Sequence, residues 1–422
     1  MKRCLIIWLL FPFFIHAEDF SFDVSSYEKK SYEWGGYLEG SADYVHLNSN
    51  TAFYNLNFAN TDKPESFNRY LAALELEGLY RFERSLINFR GHADSQDDYF
   101  GQQHEFSVHE LYYRVNPNDR YTGEIGKRVM KWGKGYAWNP VGFIERPKSP
   151  NDPDLTREGF ILASVDYVRS FDGPLKTLSI TPVLLPVNDD INPDFSQQSD
   201  VNFAVKIYLL YRDTDIDLLF LSKANHGGRI GFDFSRNITP SFELHGEFAY
   251  IDSLSSVTLS KQNQLIVQQN NAYQSLLGIR YLSQTDVTWI VEYYHNSAGY
   301  SEAELQRFFS LAKTDPKTSS ALFDLAKKTV KAGYGAPNVG RDYVYLRVSK
   351  KDILDVIYLT AGFTSIINVN DRSFSLIPEL VYSGVANYEA RLRLIRLVGE
   401  KNSDFYEKQN DYKLELRFRY YF

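Results

Sequence analysis

The chain has a single cysteine, Cys4, and two methionines among 422 residues. Cys4 lies in the apolar N-terminal stretch, so the rest of the sequence offers no thiol nucleophile, disulfide or cysteine-ligated metal. Basic residues are outnumbered, 46 Lys and Arg against 53 Asp and Glu, which argues against nucleic acid as a partner. No linker rich in Pro, Ser or Gly and no shift of composition divides the sequence, so one continuous architecture is expected. Beyond the N-terminus, no apolar run approaches the roughly 20 residues that a membrane-spanning helix needs.

Aromatic residues are abundant: 31 tyrosines and 30 phenylalanines bring the aromatic share to 16%, while mean hydropathy stays at −0.36. At the N-terminus Lys2 and Arg3 precede the apolar run Leu5 to Ile15, then Ala17 and the polar Glu18-Asp19. This order has the form of a secretory signal peptide, with cleavage expected after Ala17. Removing Lys2 and Arg3 leaves 44 basic residues against 53 acidic ones and moves the formal charge from −7 to −9. An aromatic-rich secreted chain without long apolar runs fits a soluble β protein or a transmembrane β-barrel, whose alternating faces cancel in an average.

The closing segment KLELRFRYYF puts Leu414, Leu416, Phe418, Tyr420 and Phe422 on one face of a strand and Lys413, Glu415, Arg417, Arg419 and Tyr421 on the other. A soluble sandwich could use such a strand. The terminal phenylalanine, with apolar residues at every second position before it, resembles the C-terminal signal of Gram-negative outer-membrane barrels. That resemblance implies residence in the cell outer membrane and Phe422, Tyr420 and Phe418 as an assembly signal. The partners it implies are outer-membrane lipids and the barrel-assembly machinery.

The same alternation recurs at Trp289, Val291 and Tyr293, at Phe242, Leu244, Phe248 and Tyr250, and at Val201, Phe203, Val205, Ile207 and Leu209. Turn residues mark Asn116–Asp119, Asp172–Pro174, Asp213–Asp215, Asn237–Pro240, Ser283–Asp286 and Ser383–Asn387. The fold class expected is all-β, a transmembrane antiparallel up-and-down barrel over 34–422 with about 18 strands, 16 remaining open, preceded by a periplasmic segment 18–33. Short turns then fall on the periplasmic side. Longer connections near 47–69, 93–105, 130–158, 186–200, 252–270, 297–340 and 399–410 fall outside.

The third of these outer loops opens with KWGKGYAWNP, Lys131 to Pro140, and continues through Pro147, Pro150 and Pro153. Gly133-Lys134-Gly135 lacks the glycine spacing of a phosphate-binding loop. A proline-stiffened segment this long is expected to be functional rather than a plain connection. One reading folds it into the barrel as a constriction, with Trp132 and Trp138 anchoring it or facing solute. Lys131, Lys134, Arg146, Lys148 and Arg157, mixed with Glu145, Asp152, Asp154 and Glu158, would then set the local field. The other reading is an ordered surface loop held by its tryptophans. Gly126-Lys127-Arg128, Trp132-Gly133 and Asn139-Pro140 together resemble a pattern of porin-like barrels of the DUF1302 type. There is also a looser similarity to alginate-export barrels, in strand number and charged lumen.

Alternation directs Glu39, Asp43, Glu75 and Glu77 inward from the first two strands, and Glu389, Arg391, Arg393, Lys413, Arg417 and Arg419 inward from the last two. Barrel closure sets an acidic wall against a basic one, either as a transverse field across a pore or as a seam of salt bridges. In the seventh outer loop, Ser301-Glu302-Ala303-Glu304 forms a capping box, and a second apolar stripe follows Pro316, so a short helical insertion is expected as a lid or as packing on neighbouring loops. His295 and Ser297 have a spacing similar to that of outer-membrane phospholipase A, but no outward Asn or Asp is evident to orient the imidazole. Together these features favour a channel for passive passage of a hydrophilic solute, without enzyme activity, metal or cofactor. A structural, partner-binding or polymer-export barrel is the alternative, and homo-oligomer formation is left open.

Overall fold

The computed structural model describes residues 30–422 except Asp154, Gln197, Gln198 and 223–226, so the expected signal peptide and its cleavage site lie outside the described residues. Eighteen strands, each hydrogen-bonded antiparallel to its sequence neighbours, close into one barrel. The strands are β1 (Tyr32–Leu47), β2 (Ser66–Arg81), β3 (Ser85–Asp98), β4 (Gly101–Asn118), β5 (Tyr121–Arg128) and β6 (Phe160–Ser170). There follow β7 (Leu175–Val187), β8 (Asp200–Tyr211), β9 (Thr214–Leu221), β10 (Arg229–Thr239), β11 (Phe242–Leu259) and β12 (Leu265–Leu282). The last six are β13 (Val287–Asn296), β14 (Asp342–Lys350), β15 (Leu359–Asn368), β16 (Phe374–Val385), β17 (Tyr388–Val398) and β18 (Asn410–Tyr421).

Period-two alternation explains the wall. On β18, Leu414, Leu416 and Phe418 face outward and are exposed, while Glu415 and Arg417 face inward and are buried. Phe422 completes the closure: its N–H donates to Gly36 O at 3.1 Å, and Gly36 N–H donates to Phe422 O at 3.3 Å. The Phe422 ring lies 5.9 Å from Trp34. Gly36 has φ +154, and a Cβ there would sit 2.0 Å from Glu75 O, so only glycine permits this approach.

All six sequence-marked turns connect strands at the end of the barrel that holds both chain ends of the sheet. The opposite end carries the longer loops, with two corrections. Around 93–105 there is no long loop, because β3 and β4 run on to a hairpin at Tyr99-Phe100, with Asp98 paired to Gly101. Around 252–270, β11 and β12 likewise extend until Leu259 pairs with Leu265. Strands that rise past an apolar belt lose the requirement for alternation, so SQDD and VQQNN read as loop while pairing as sheet.

Among the described residues, three α-helices sit at the long-loop end. The helices α2 (Glu302–Ala312) and α3 (Ser320–Thr329) are the expected pair, α2 beginning at the capping box of Ser301 and Glu304. A third, α1 (Ala52–Phe58), lies in the first loop and was not expected. These elements meet although β1 and β13 stand six strands apart around the ring: Asn55 Nδ2 donates to Ala312 O at 2.7 Å and Thr314 O at 3.0 Å. Glu407, from the loop before β18, is fully buried and accepts from Ala52 N at 2.7 Å, Asn402 N at 2.8 Å and Lys313 Nζ at 2.5 Å. Loops rooted on separate sectors thus form a cap over one part of the mouth.

Deleting Phe422 removes the last pair of seam hydrogen bonds and one outward aromatic. Membrane levels of the folded, heat-modifiable form should fall several-fold; wild-type levels of the truncated chain would contradict the role given to this residue.

Candidate functional site in the barrel lumen

The loop 130–158 folds into the lumen, which decides between the two placements left open by the sequence. Its buried Trp132, Val141, Phe143 and Ile144 pack against inward Val183, Leu185, Leu219, Leu221 and Ala249, on the wall from β7 to β11. Farther along, Trp138 stacks on Tyr294 at 5.0 Å and 12° and touches Tyr343 and Tyr345 on β14. Asp152 then reaches β17, 3.1 Å from Arg391 and 3.4 Å from Arg393. One loop therefore contacts walls far apart around the ring.

Irregular backbone inside a barrel needs acceptors for its N–H groups, since burying one unpaired costs ~1–3 kcal/mol. Carboxylates of the wall supply them. Glu247 accepts from Lys134 N and Gly135 N, both at 2.6 Å, and from Val141 N at 3.2 Å. Glu292 accepts from Ala137 N at 2.8 Å and from Tyr136 N, and it meets His245 Nε2 at 3.0 Å. The glycines of the decapeptide now have a reason. At Gly133, with φ +90, a Cβ would lie 2.7 Å from Glu247 Oε1, and at Gly135 it would lie 2.3 Å from Trp138 O.

The seven residues expected at a constriction divide into groups. Lys131, Trp132 and Arg157 border an open chamber. Lys134, Trp138 and Lys148 are fasteners instead: Lys134 Nζ lies 3.0 Å from Asp217 and 3.8 Å from Asp233, and Lys148 donates to Gly135 O. Burial opposes the charge of Lys134, but Asp217 and Asp233 raise its pKa overall. Burial lowers that of Lys148. Arg146 ties the loop to Glu158 at 3.1 Å and to Asp194 in the next loop. Burial pushes the Glu145 carboxyl up to about 7 despite the Trp132 N–H and Arg157 beside it. Burial also works against ionised Asp152, yet Arg393 and Arg391 hold its carboxyl below the usual range. Asp154 lies outside the described residues.

The acidic and basic walls meet in a row of salt bridges, the seam that was one of the two arrangements open from the sequence. Arg419 contacts Glu39 at 2.5 Å, Lys413 contacts Asp43 at 3.1 Å, and Arg417 contacts Glu389 at 3.3 Å and Glu39 at 3.7 Å. Glu75 and Glu77 face Arg90 at 3.6 and 3.1 Å. Register places Arg391 opposite Arg417, an unfavourable like-charge pair, and Asp152 and Glu415 compensate it.

The chamber, about 1010 Å³, lies between the loop and the wall from β3 to β8. Its wall includes Tyr112, over which the guanidinium groups of Arg128 and Arg114 sit at 5.2 and 5.6 Å. Sequence reasoning missed these residues because alternation shows that they face inward but not where space remains. It also missed Asp342, which does orient His295, its Oδ1 lying 2.7 Å from Nδ1. The strand carrying Asp342 begins just past the long seventh loop, and the register that sets it opposite His295 cannot be read across a loop of that length. A serine-hydrolase relay is still not assembled, because His295 Nε2 has no hydrogen-bond partner and Ser297 Oγ accepts from Tyr273 N at 2.8 Å.

No protein-family model matches the sequence, and no curated protein does. Among solved structures, the fold is similar to Pseudomonas aeruginosa OccK5 (OpdH), at 11% identity and a TM-score of 0.50 over 92% of this chain and 98% of that one. It is also similar to Wzi from Escherichia coli, described as an outer-membrane carbohydrate-binding β-barrel involved in group 1 capsule assembly, at 11% identity and a TM-score of 0.50 over 91% and 83%. The chain thus has the porin-like fold of a closed, 18-stranded antiparallel β-barrel. The resemblance to DUF1302-type and alginate-export barrels gains no support beyond that fold.

Replacing Glu247 by alanine strands three loop N–H groups. The barrel should keep its heat-modifiable migration while trypsin gains cuts after Lys134 or Lys148; a loop as resistant as the native one would contradict the anchoring role.

Proposed function

We propose that the protein is an outer-membrane channel for passive passage of hydrophilic solutes, narrowed by the loop 130–158, and that it is not an enzyme. The observation that carries this reading is the loop itself, fastened across the lumen yet leaving a polar chamber of about 1010 Å³ on one side. A barrel serving only as a scaffold could fill that space with packed side chains. The outward apolar belt and the short turns at one end suit an outer-membrane barrel, with those turns toward the periplasm.

The capped mouth favours a second reading. Helices from separate loops meet over it, and a solute-binding barrel that does not conduct would have the same feature; the likeness to Wzi, described as a carbohydrate-binding barrel, is compatible with it. Conductance separates the two. Refolded protein in planar bilayers should show discrete openings, and deleting Lys134 to Pro150 should raise the single-channel conductance without abolishing assembly. No openings in either protein would leave the binding-barrel reading.

A further inference from the structure

We propose that the long-loop end carries a second binding site, sharing no lining residue with the lumen chamber, that takes one neutral sugar ring of an oligosaccharide. The site lies between the β11–β12 hairpin and the two ends of the seventh loop, and it does not rest on the channel reading.

The hairpin supplies the first ground. Along the lower part of β11 the inward positions are odd-numbered, and His245, Glu247 and Ile251 are buried there. The register then slips between Ile251 and Leu254, where Ser253 takes φ 57 and its N–H donates to Asn271 Oδ1 at 3.1 Å. A bulge of this kind inserts one residue and exchanges the faces of the strand beyond it. Leu254 now stands opposite Asn270, and Ser256 opposite Gln268, so the hydroxyls of Ser256 and Thr258 share a face with the two amides. That face, the loop segment 297–300 and Arg341 border a cavity of about 160 Å³.

The chemistry of the lining is the second ground. Its two charged residues, Glu304 and Arg341, are opposite in sign and serve the loop itself. Glu304 accepts from Ser301 N at 2.8 Å and from Ser301 Oγ at 2.6 Å, and Arg341 Nε donates to Gly299 O at 2.9 Å. The neutral groups are left over. The hydroxyls of Ser256 and Thr258 make no hydrogen bond with the described residues, the side chains of Gln268 and Asn270 bond only to each other, at 3.3 Å, and Asn271 uses only its oxygen. Unspent donors and acceptors without net charge offer little to an ion or a hydrocarbon, but they match the hydroxyls of a polyol. Tyr300 borders the same cavity with its ring stacked on Tyr334 at 3.7 Å and 19°, so its plane is fixed, as a platform for the C–H face of a sugar requires. The volume, room for about five waters at ~30 Å³ each, is on the scale of one ring.

An array of neutral oligosaccharides and their sialylated counterparts, with rough and smooth lipopolysaccharide printed beside them, tests this on the refolded full-length barrel. A neutral glycan should bind, and its counterpart capped by an anionic sugar should bind about tenfold more weakly or not at all. Thr258→Val keeps the shape and removes the hydroxyl, and should weaken the strongest binder about fivefold in titration calorimetry. Adding Asn270→Leu should bring the loss to about tenfold or more, with heat-modifiable migration unchanged. Lys131→Gln, in the lumen chamber, should change nothing; loss of binding there would put the glycan in the lumen and overturn the site. Binding to smooth but not rough lipopolysaccharide makes the ligand a glycan of the cell's own surface, binding to free oligosaccharides alone makes it an external one, and either supports the site. No binding to any neutral glycan, or affinity unchanged in the double variant, overturns it. Bilayer openings without glycan binding would sink the inference and leave the channel; glycan binding without openings would do the reverse.

Discussion

The structure depends on what Glu247 and Glu292 do for the loop. A segment of irregular backbone can enter a β-barrel only if its amides find acceptors there, because the strands have spent their own carbonyls on one another. These two carboxylates, on β11 and β13, take amides from Lys134 through Ala137 and from Val141. With that segment fixed, Trp138 reaches Tyr294 and Asp152 reaches Arg391. The chamber is the space left on the other side.

The seam obeys the same constraint in another form. Strand pairing sets Arg391 against Arg417 and Asp43 against Glu415, so direct neighbours repel. Diagonal partners and a loop residue restore neutrality, Lys413 bridging Asp43 and Glu415 while Asp152 enters between Arg391 and Arg393. The charged wall therefore closes the barrel and fastens the far end of the loop. Removing one member of such a set leaves an uncompensated charge, which makes these groups structural even though they border a lumen.

Much of this could be read from the sequence. KLELRFRYYF and its counterparts carry the alternation that a two-faced wall requires, and the short turn signals counted the strands. The peculiar composition of KWGKGYAWNP marked the loop. Its anchors could not be read in the same way: Glu247 and Glu292 are ordinary inward positions in the alternation, and only the folded loop makes them special. Helix α1 has seven residues, too few for a helical period to declare itself. The polar extensions of β3, β4, β11 and β12 lack alternation because beyond the apolar belt both faces can meet water. Asp342 was hidden because a long loop separates it in sequence from its partner His295.

The central claim is that the loop spans the lumen and ends at the seam. The chain's single native cysteine makes a crosslinking test clean. In a Cys4→Ser background, Asp152→Cys with Arg391→Cys places two thiols at a contact seen at 3.1 Å between residues 239 apart in sequence. A short bismaleimide should join them within single barrels as efficiently as it joins the seam pair Asp43→Cys and Lys413→Cys, whose native side chains also meet at 3.1 Å. Crosslinking of the seam pair alone, with Asp152→Cys freely labelled from outside, would put the loop on the surface and contradict the account.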